Sequence, residues 1–301
     1  MKQLDIFGIT DVGCVRSGNE DCFLIQPLSG SRNELNQTTA VDQLPDKGLF
    51  AAVSDGMGGA AAGEVASSMT LVKTMDFLYE KLLQEEEHKP DDVVSKIESG
   101  IQYANQQVAN TAMNNYKQRG MGATLTAMMM LGDVAYFFQV GDSRAFVFRD
   151  GAFCPVTRDQ SFVGQLLEMG TITPQQAARH PQRNVILQAL GTQDVLKVDI
   201  SFLPLCKGDR IILCSDGLHS ELDEALLYET IQKGVQNMDS IEQIVQSLLT
   251  EAKKSGGQDN ITIIGLHLKD GYPPRQPGED PALLPYPFLE MDNPMSKVFK
   301  I

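Results

Sequence analysis

The chain lacks most of the patterns that mark a nucleophilic or zinc enzyme. It has four histidines, none paired at a ligand spacing, and five cysteines (Cys14, Cys22, Cys154, Cys206 and Cys214) with no Cys-x-x-C pair. Zinc and dithiol redox sites therefore have no support, and the cysteines are expected to be reduced core residues of a cytoplasmic protein. There is no Cys-x5-Arg thiolate loop, no Asp-x-Asp nucleophile pair, no Gly-x-Ser-x-Gly elbow and no Gly-Lys-Ser/Thr phosphate loop. A mechanism built on a protein nucleophile has little support without them. No stretch approaches the roughly 18 apolar residues of a spanning helix, and the opening MKQLDIFGIT lacks the apolar region of a signal peptide, so no membrane association is expected.

What is present is an ordinary globular composition. The 301 residues are 42% hydrophobic and 21% charged. A chain of this size can bury roughly 75% of its unfolded surface, so folding needs neither a disulfide nor a structural metal. With 25 Lys and Arg against 39 Asp and Glu, the net charge is -14. That argues against nucleic acid or an anionic membrane as the main partner and is compatible with bound divalent cations.

Along the chain, residues 4–13 and 21–26 read as strands, and the polar stretch 28–48 as a hairpin loop before the strand LFAAVSD. Helical spacing of apolar residues covers 63–84 and about 92–117, with the polar EEEHKPDD run as a solvated connection. From 123 to 156 the runs TLTAMMML, VAYFFQV and RAFVFRDG read as consecutive antiparallel strands. Short helices follow in 161–190, then strands near 196–203 and 209–215, helices near 220–233 and 240–254, and a last strand at 260–268. Runs of strands set against pairs of helices indicate an α+β fold, with two antiparallel sheets covered by helix pairs. Seven of the fourteen prolines fall between Gly271 and Ile301, which marks 271–301 as a flexible tail on a domain spanning 1–270.

Four carboxylates share one context, the junction of an apolar strand with a glycine. They are Asp55 in VSDGMGG, Asp142 in QVGDSRA, Asp216 in CSDG and Asp259 in GGQDNITII. Any one Asp-Gly is most simply a turn. Four together suit a hard divalent cation, Mg2+ or Mn2+, which takes carboxylate, carbonyl and water oxygens. On pattern alone, metal binding and turn formation remain about equally open.

The ordered set VRSGNED (15–21), VSDGMGG (53–59), GMGATLTAM (120–128), VGDSRAF (140–146), the segment 157–191, LCSDGL (213–218) and GGQDNIT (256–262) resembles the metal-dependent protein phosphatase 2C family in its compact bacterial form. The resemblance covers about residues 4–268. It implies a four-layer α-β-β-α sandwich with two Mn2+ or Mg2+ ions between the sheets and hydrolysis of phosphoserine and phosphothreonine on proteins by a metal-bridging water. Asp55 would then bridge both ions, the Gly56 carbonyl would ligate one, and Asp216 and Asp259 would hold the other. Arg16 would bind the phosphate and Glu20, less surely Asp21, would position waters.

Asp142 matches a ligand of a third metal, and Asn260 is expected to support Asp259 or the turn rather than catalysis. Two positions depart from the family pattern: Ser220 stands where many relatives carry a further Asp, and Gln160 replaces a His. The resemblance also implies a phosphoprotein substrate, an opposing Ser/Thr kinase, a role in signalling, a cytoplasmic location and a monomer. A pseudophosphatase that binds phosphoproteins without turnover is the alternative with the same fold. Asp55 and Asp216 are expected at the ends of two strands, one in each sheet.

Overall fold

The computed structural model describes residues 2–29, 32–38, 41–82 and 89–274. The first strands are β1 (Leu4–Asp11), β2 (Cys22–Pro27), β3 (Leu49–Ser54) and the short β4 (Gly56–Met57), followed by helices α1 (Ala60–Lys81) and α2 (Pro90–Asn114). Then come β5 (Gly122–Ala123), β6 (Leu125–Leu131), β7 (Val134–Val140), β8 (Arg144–Arg149) and β9 (Ala152–Pro155). Short helices α3 (Phe162–Glu168) and α4 (Pro174–Ala178) precede β10 (Asp199–Pro204) and β11 (Arg210–Cys214). The chain closes with α5 (Asp216–His219), α6 (Glu224–Gln236), α7 (Ile241–Ser255) and β12 (Ile261–Leu268).

The strands form two five-stranded antiparallel sheets, ordered β1-β12-β11-β8-β9 and β10-β7-β6-β3-β2, with β4 and β5 as a separate pair. Strands β3, β6 and β7 are buried at every position. Both of their faces are covered, which is why they read as continuous apolar runs rather than alternating ones. Successive residues still point opposite ways. Phe50 and Ala52 face α1 and α2, while Leu49, Ala51 and Val53 join the core between the sheets. The second outer layer packs Phe146, Ile212 and Ile263 against Leu227, Ile244 and Leu248 of α6 and α7. The α-β-β-α sandwich is as expected.

Helix ends fall where the caps put them. Ser240 and Thr173 each open a helix with a capping box, using Gln243 and Gln176 in return. Pro90 stands at the first position of α2, where its missing N–H costs nothing, so that helix begins and ends slightly before the expected span. The polar loop 28–48 does join the antiparallel pair β2 and β3. Residues 85–88 of the EEEHKPDD run lie outside the described residues, and Pro90, Asp91 and Asp92 form the first turn of α2 rather than a connection.

Three expectations change. The strands of 123–156 are not one meander: β6 pairs with β7 and β8 with β9, but β8 belongs to the other sheet. The chain crosses between sheets at Gly141–Asp142–Ser143, where Gly141 takes φ 104°. Cys14 is exposed and Cys154 half-buried, so not all five cysteines are core residues, although all are free thiols. The first residues of the expected tail also pack on the domain. Tyr272 is buried in the inter-sheet core, and the Lys207 N–H donates to Pro273 O at 3.0 Å. Residues 275–301 lie outside the described residues. Among those described, no helix is long and apolar enough to cross a membrane.

Candidate metal and phosphate site

Strands β3 and β11 lie in different sheets, and each ends on Ser-Asp-Gly at the same end of the sandwich. The two serines do related work. Ser54 Oγ donates to Thr124 O at 2.6 Å, while the Asp55 N–H donates to Thr124 Oγ1 at 3.0 Å and the Thr124 N–H to Asp55 O at 2.9 Å. Asp55 is thereby fixed to the start of β6. Ser215 precedes α5 but does not cap it with its side chain. Its Oγ donates instead to Asp21 Oδ2 at 2.6 Å and accepts from the Thr262 N–H at 3.0 Å.

The two glycines are required for clearance. A Cβ on Gly56 would overlap Gly63 O, and one on Gly217 would overlap Asn260 O. Each Asp therefore sits where a second backbone segment comes into contact with its own.

Asp259 and Asn260 open the last strand. Asn260 Nδ2 donates to Val12 O at 3.0 Å and Gly18 O at 2.9 Å, and its Oδ1 accepts from the Glu20 N–H at 2.8 Å. One amide side chain thus holds both ends of the loop that carries Arg16 and Glu20. Arg16 Nη2 donates to Asp259 Oδ2 at 2.7 Å, with the Arg16 side chain 55% exposed. Glu20 lies against Gly63, where a Cβ would overlap its Oε2, and the Glu20 carbonyl accepts from Ser67 Oγ at 2.6 Å.

The electrostatics of this end are dominated by negative charge. Burial, then Asp21, Asp216, Asp142 and Asp259, push the Asp55 carboxyl well above the usual range. Asp142, 6% exposed, is raised by burial and then by Asp216 and Asp159. Burial followed by the charge of Asp259 lifts Asp216 to about 6, and burial lifts Asp21, 4% exposed, to about 8. Glu20 is raised by burial, with Arg16 opposing. Carboxylates that mutually raise their pKa values gather an uncompensated charge, and an added cation would relieve it.

The donor set fits such a cation. Asp142 Oδ1 and Asp216 Oδ1 are buried with no hydrogen-bond partner, an expensive arrangement unless something else takes the lone pairs. Among the described residues, no group of three or more carboxylate, thiol or imidazole side chains is already placed to hold a metal ion. Hard carboxylate and carbonyl oxygens suit Mg2+ or Mn2+, which keep several water ligands, better than they suit zinc.

The residues singled out in the sequence come together here: Arg16, Glu20, Asp21, Asp55, Gly56, Asp142, Asp216, Asp259 and Asn260 occupy one end of the sandwich. Ser220 is exposed and caps α5, its N–H donating to Asp216 O at 2.8 Å. Gln160 is turned toward the sheet crossing; its Oε1 accepts from the Gly141 N–H at 2.8 Å and its Nε2 donates to Asp199 Oδ2 at 2.7 Å.

Sequence reasoning missed four supports: Thr124, Ser143, Ser215 and His219. The repeated Ser before Asp-Gly was a usable signal for Ser215. His219 gave none. Its Nε2–H donates to Asp142 O at 3.0 Å, and burial followed by Arg144 lowers its pKa to about 3, which keeps the ring neutral. Arg144 is paired with Asp159 at 2.6 Å.

Comparison with known proteins agrees with this geometry. The family model described as Protein phosphatase 2C matches residues 31–257. Serine/threonine protein phosphatase PstP of Mycobacterium tuberculosis is 30% identical over 255 residues, covering 85% of this chain, which itself spans only 43% of that relative's length. Serine/threonine phosphatase stp of Listeria innocua is 32% identical over 257 residues, covering 85% of this chain and 92% of the relative. The crystal structure of the PstP catalytic domain in complex with two manganese ions superposes with a TM-score of 0.71 at 28% identity, covering 90% of this chain and 100% of that one. Fold, ordered motifs and relatives agree, and the chain belongs to the protein phosphatase 2C family in its bacterial form.

Proposed function

We propose that the protein is a Mn2+- or Mg2+-dependent phosphatase that hydrolyses phosphoserine and phosphothreonine monoesters on protein substrates. The observation that carries this reading is the cluster of mutually raised carboxylates beside Arg16, with two buried carboxylate oxygens left unpartnered. Asp55, the Gly56 carbonyl, Asp216 and Asp259 would hold two ions, and Asp142 would contribute to a third. When bound, divalent cations supply an activated water and neutralise charge on the phosphoryl oxygens.

The chain's own residues have separate tasks in this reading. The planar guanidinium of Arg16, on an exposed loop anchored through Asn260, suits two non-bridging phosphate oxygens at once. Glu20 would orient water at the cleft edge, and Asp21 would support it from behind through Ser215. The relatives' names support a phosphoprotein substrate and hence an opposing Ser/Thr kinase. A cytoplasmic signalling role, a monomeric state and a catalytic unit ending near residue 270 belong to the same proposal.

The test is hydrolysis of p-nitrophenyl phosphate and of a phosphothreonine peptide by the full chain with Mn2+. Turnover is expected with Mn2+, is expected to vanish with EDTA and is expected to fall about a thousandfold with Asp216→Asn. No turnover of either substrate, or turnover indifferent to both changes, would overturn the reading.

A further inference from the structure

We propose that His219 is a positioning residue of this site, and that its hydrogen bond to the Asp142 carbonyl fixes the Asp142 carboxylate relative to that of Asp216 for cation binding. The inference rests on the metal-dependent reading above and adds a residue that none of the expected site roles includes.

The case begins with where the two carboxylates sit. Asp142 lies in the crossing between sheets, outside both β7 and β8, while Asp216 is the first residue of α5. They arrive from different chain segments, and each has one buried oxygen without a partner. His219 is three residues after Asp216, on the same side of one helical turn. From there its Nε2 reaches across to Asp142 O at 3.0 Å, so one side chain spans the gap between the segments. A carbonyl only accepts, so the proton is on Nε2 and the tautomer is fixed.

The flanks of the crossing are held by other means. Gly141 exchanges bonds with Gln160, its N–H donating to the side chain at 2.8 Å and its carbonyl accepting from the Gln160 N–H at 3.0 Å. Ser143 Oγ meets Thr124 Oγ1 at 2.9 Å, and Ser143 O accepts from Gln139 Nε2 at 2.5 Å. Asp142 between them is steered through its carbonyl by His219. Rotation of that peptide would swing its carboxylate relative to Asp216. Groups that orient ligands in this way typically change metal affinity by about 10- to 100-fold when removed.

The experiment uses the full chain with His219→Met, which fills the space without a donor, and His219→Gln, which keeps a neutral N–H donor. Mn2+ binding is read by calorimetry and p-nitrophenyl phosphate hydrolysis by steady-state kinetics, with melting temperatures as the folding control. His219→Met is expected to weaken Mn2+ binding by about tenfold and to lower kcat with KM little changed. His219→Gln is expected to recover most of both losses.

Wild-type Mn2+ binding in His219→Met, or equal impairment of the two variants, would overturn the proposal. A readout on the unmodified protein guards against a variant that does not fold: 15N NMR is expected to show His219 protonated at Nε2, with its signal moving on Mg2+ addition. A proton on Nδ1, or a signal insensitive to Mg2+, counts against the proposal. If the wild-type chain binds Mn2+ but hydrolyses nothing, the phosphatase reading fails while the binding data still decide the role of His219.

Discussion

Strands β8 and β11 are paired side by side, with Arg210 opposite Phe148 at one end and Cys214 opposite Arg144 at the other. The two ends treat charge in opposite ways. At the first, Arg149 Nε and Nη2 donate to Asp209 Oδ1 and Oδ2 at 2.7 and 2.6 Å, and Arg149 also donates to Pro204 O at 2.8 Å. Asp209 Oδ2 accepts a further bond from the Cys206 N–H at 2.8 Å. This bidentate pair is almost fully buried and closes the sandwich. At the second end, some 15 to 20 Å away at strand spacing, Asp142 and Asp216 each keep a buried oxygen without a hydrogen-bond partner, and burial and then the charge of Asp216 raise the Asp142 pKa. A neutralised buried charge holds a fold together, whereas an unneutralised one is a standing affinity for a cation.

Several changes would break or sharpen that contrast. Asp216→Asn has the largest expected effect on activity. Metal-supplied charge stabilisation is worth several kcal/mol in a transition state, so Mn2+-dependent turnover should fall about a thousandfold. Melting in EDTA should stay the same or rise, because a repulsive charge has gone.

Asp209→Ala should do the reverse. It leaves a buried guanidinium alone, at a cost of about 3–5 kcal/mol in urea unfolding, with turnover per folded molecule unchanged. Loss of turnover without loss of stability would abolish the distinction between the ends.

A smaller effect belongs to Tyr272, which packs at the closed end. A chain stopped after Asp270 should lose about 2 kcal/mol of stability relative to one stopped after Pro274, and both should hydrolyse p-nitrophenyl phosphate at the full-length rate.

The smallest is a pH effect at His267, paired across from Arg210. Burial first, then Arg210 and Lys269 against Asp5, lower its pKa to about 4. A lowered folded-state value means the neutral ring is favoured. Its stabilisation is complete above about pH 6.5, the unperturbed value, and is lost as pH falls toward 4. Urea midpoints of His267→Gln should therefore decline less than wild type over that window; parallel curves would remove His267 from the account.

Much of this is legible in the amino-acid sequence. Apolar runs marked the strands, helical spacing of apolar residues marked the long helices, and carboxylates at Gly junctions marked the candidate ligands in order. The sheet to which a strand belongs was not legible, because an apolar run such as RAFVFR carries no mark of its partner. Nor was the exposure of Cys14. The bond from Ser215 to Asp21 spans 194 residues and that from His219 to Asp142 spans 77. Such pairs exist only after the two sheets have met, and local pattern does not encode them.

Gly63 carries a warning for anyone who would redesign this protein. It sits in the first turns of α1, where replacing glycine by alanine ordinarily gains up to about 1 kcal/mol, so a thermostability screen would select it early. The added methyl would land on the Glu20 carboxylate, with the Gly56 carbonyl close behind. The substitution that helix propensity recommends would gain rigidity by displacing the wall of the cleft, so the position should be held constant in any stabilised variant.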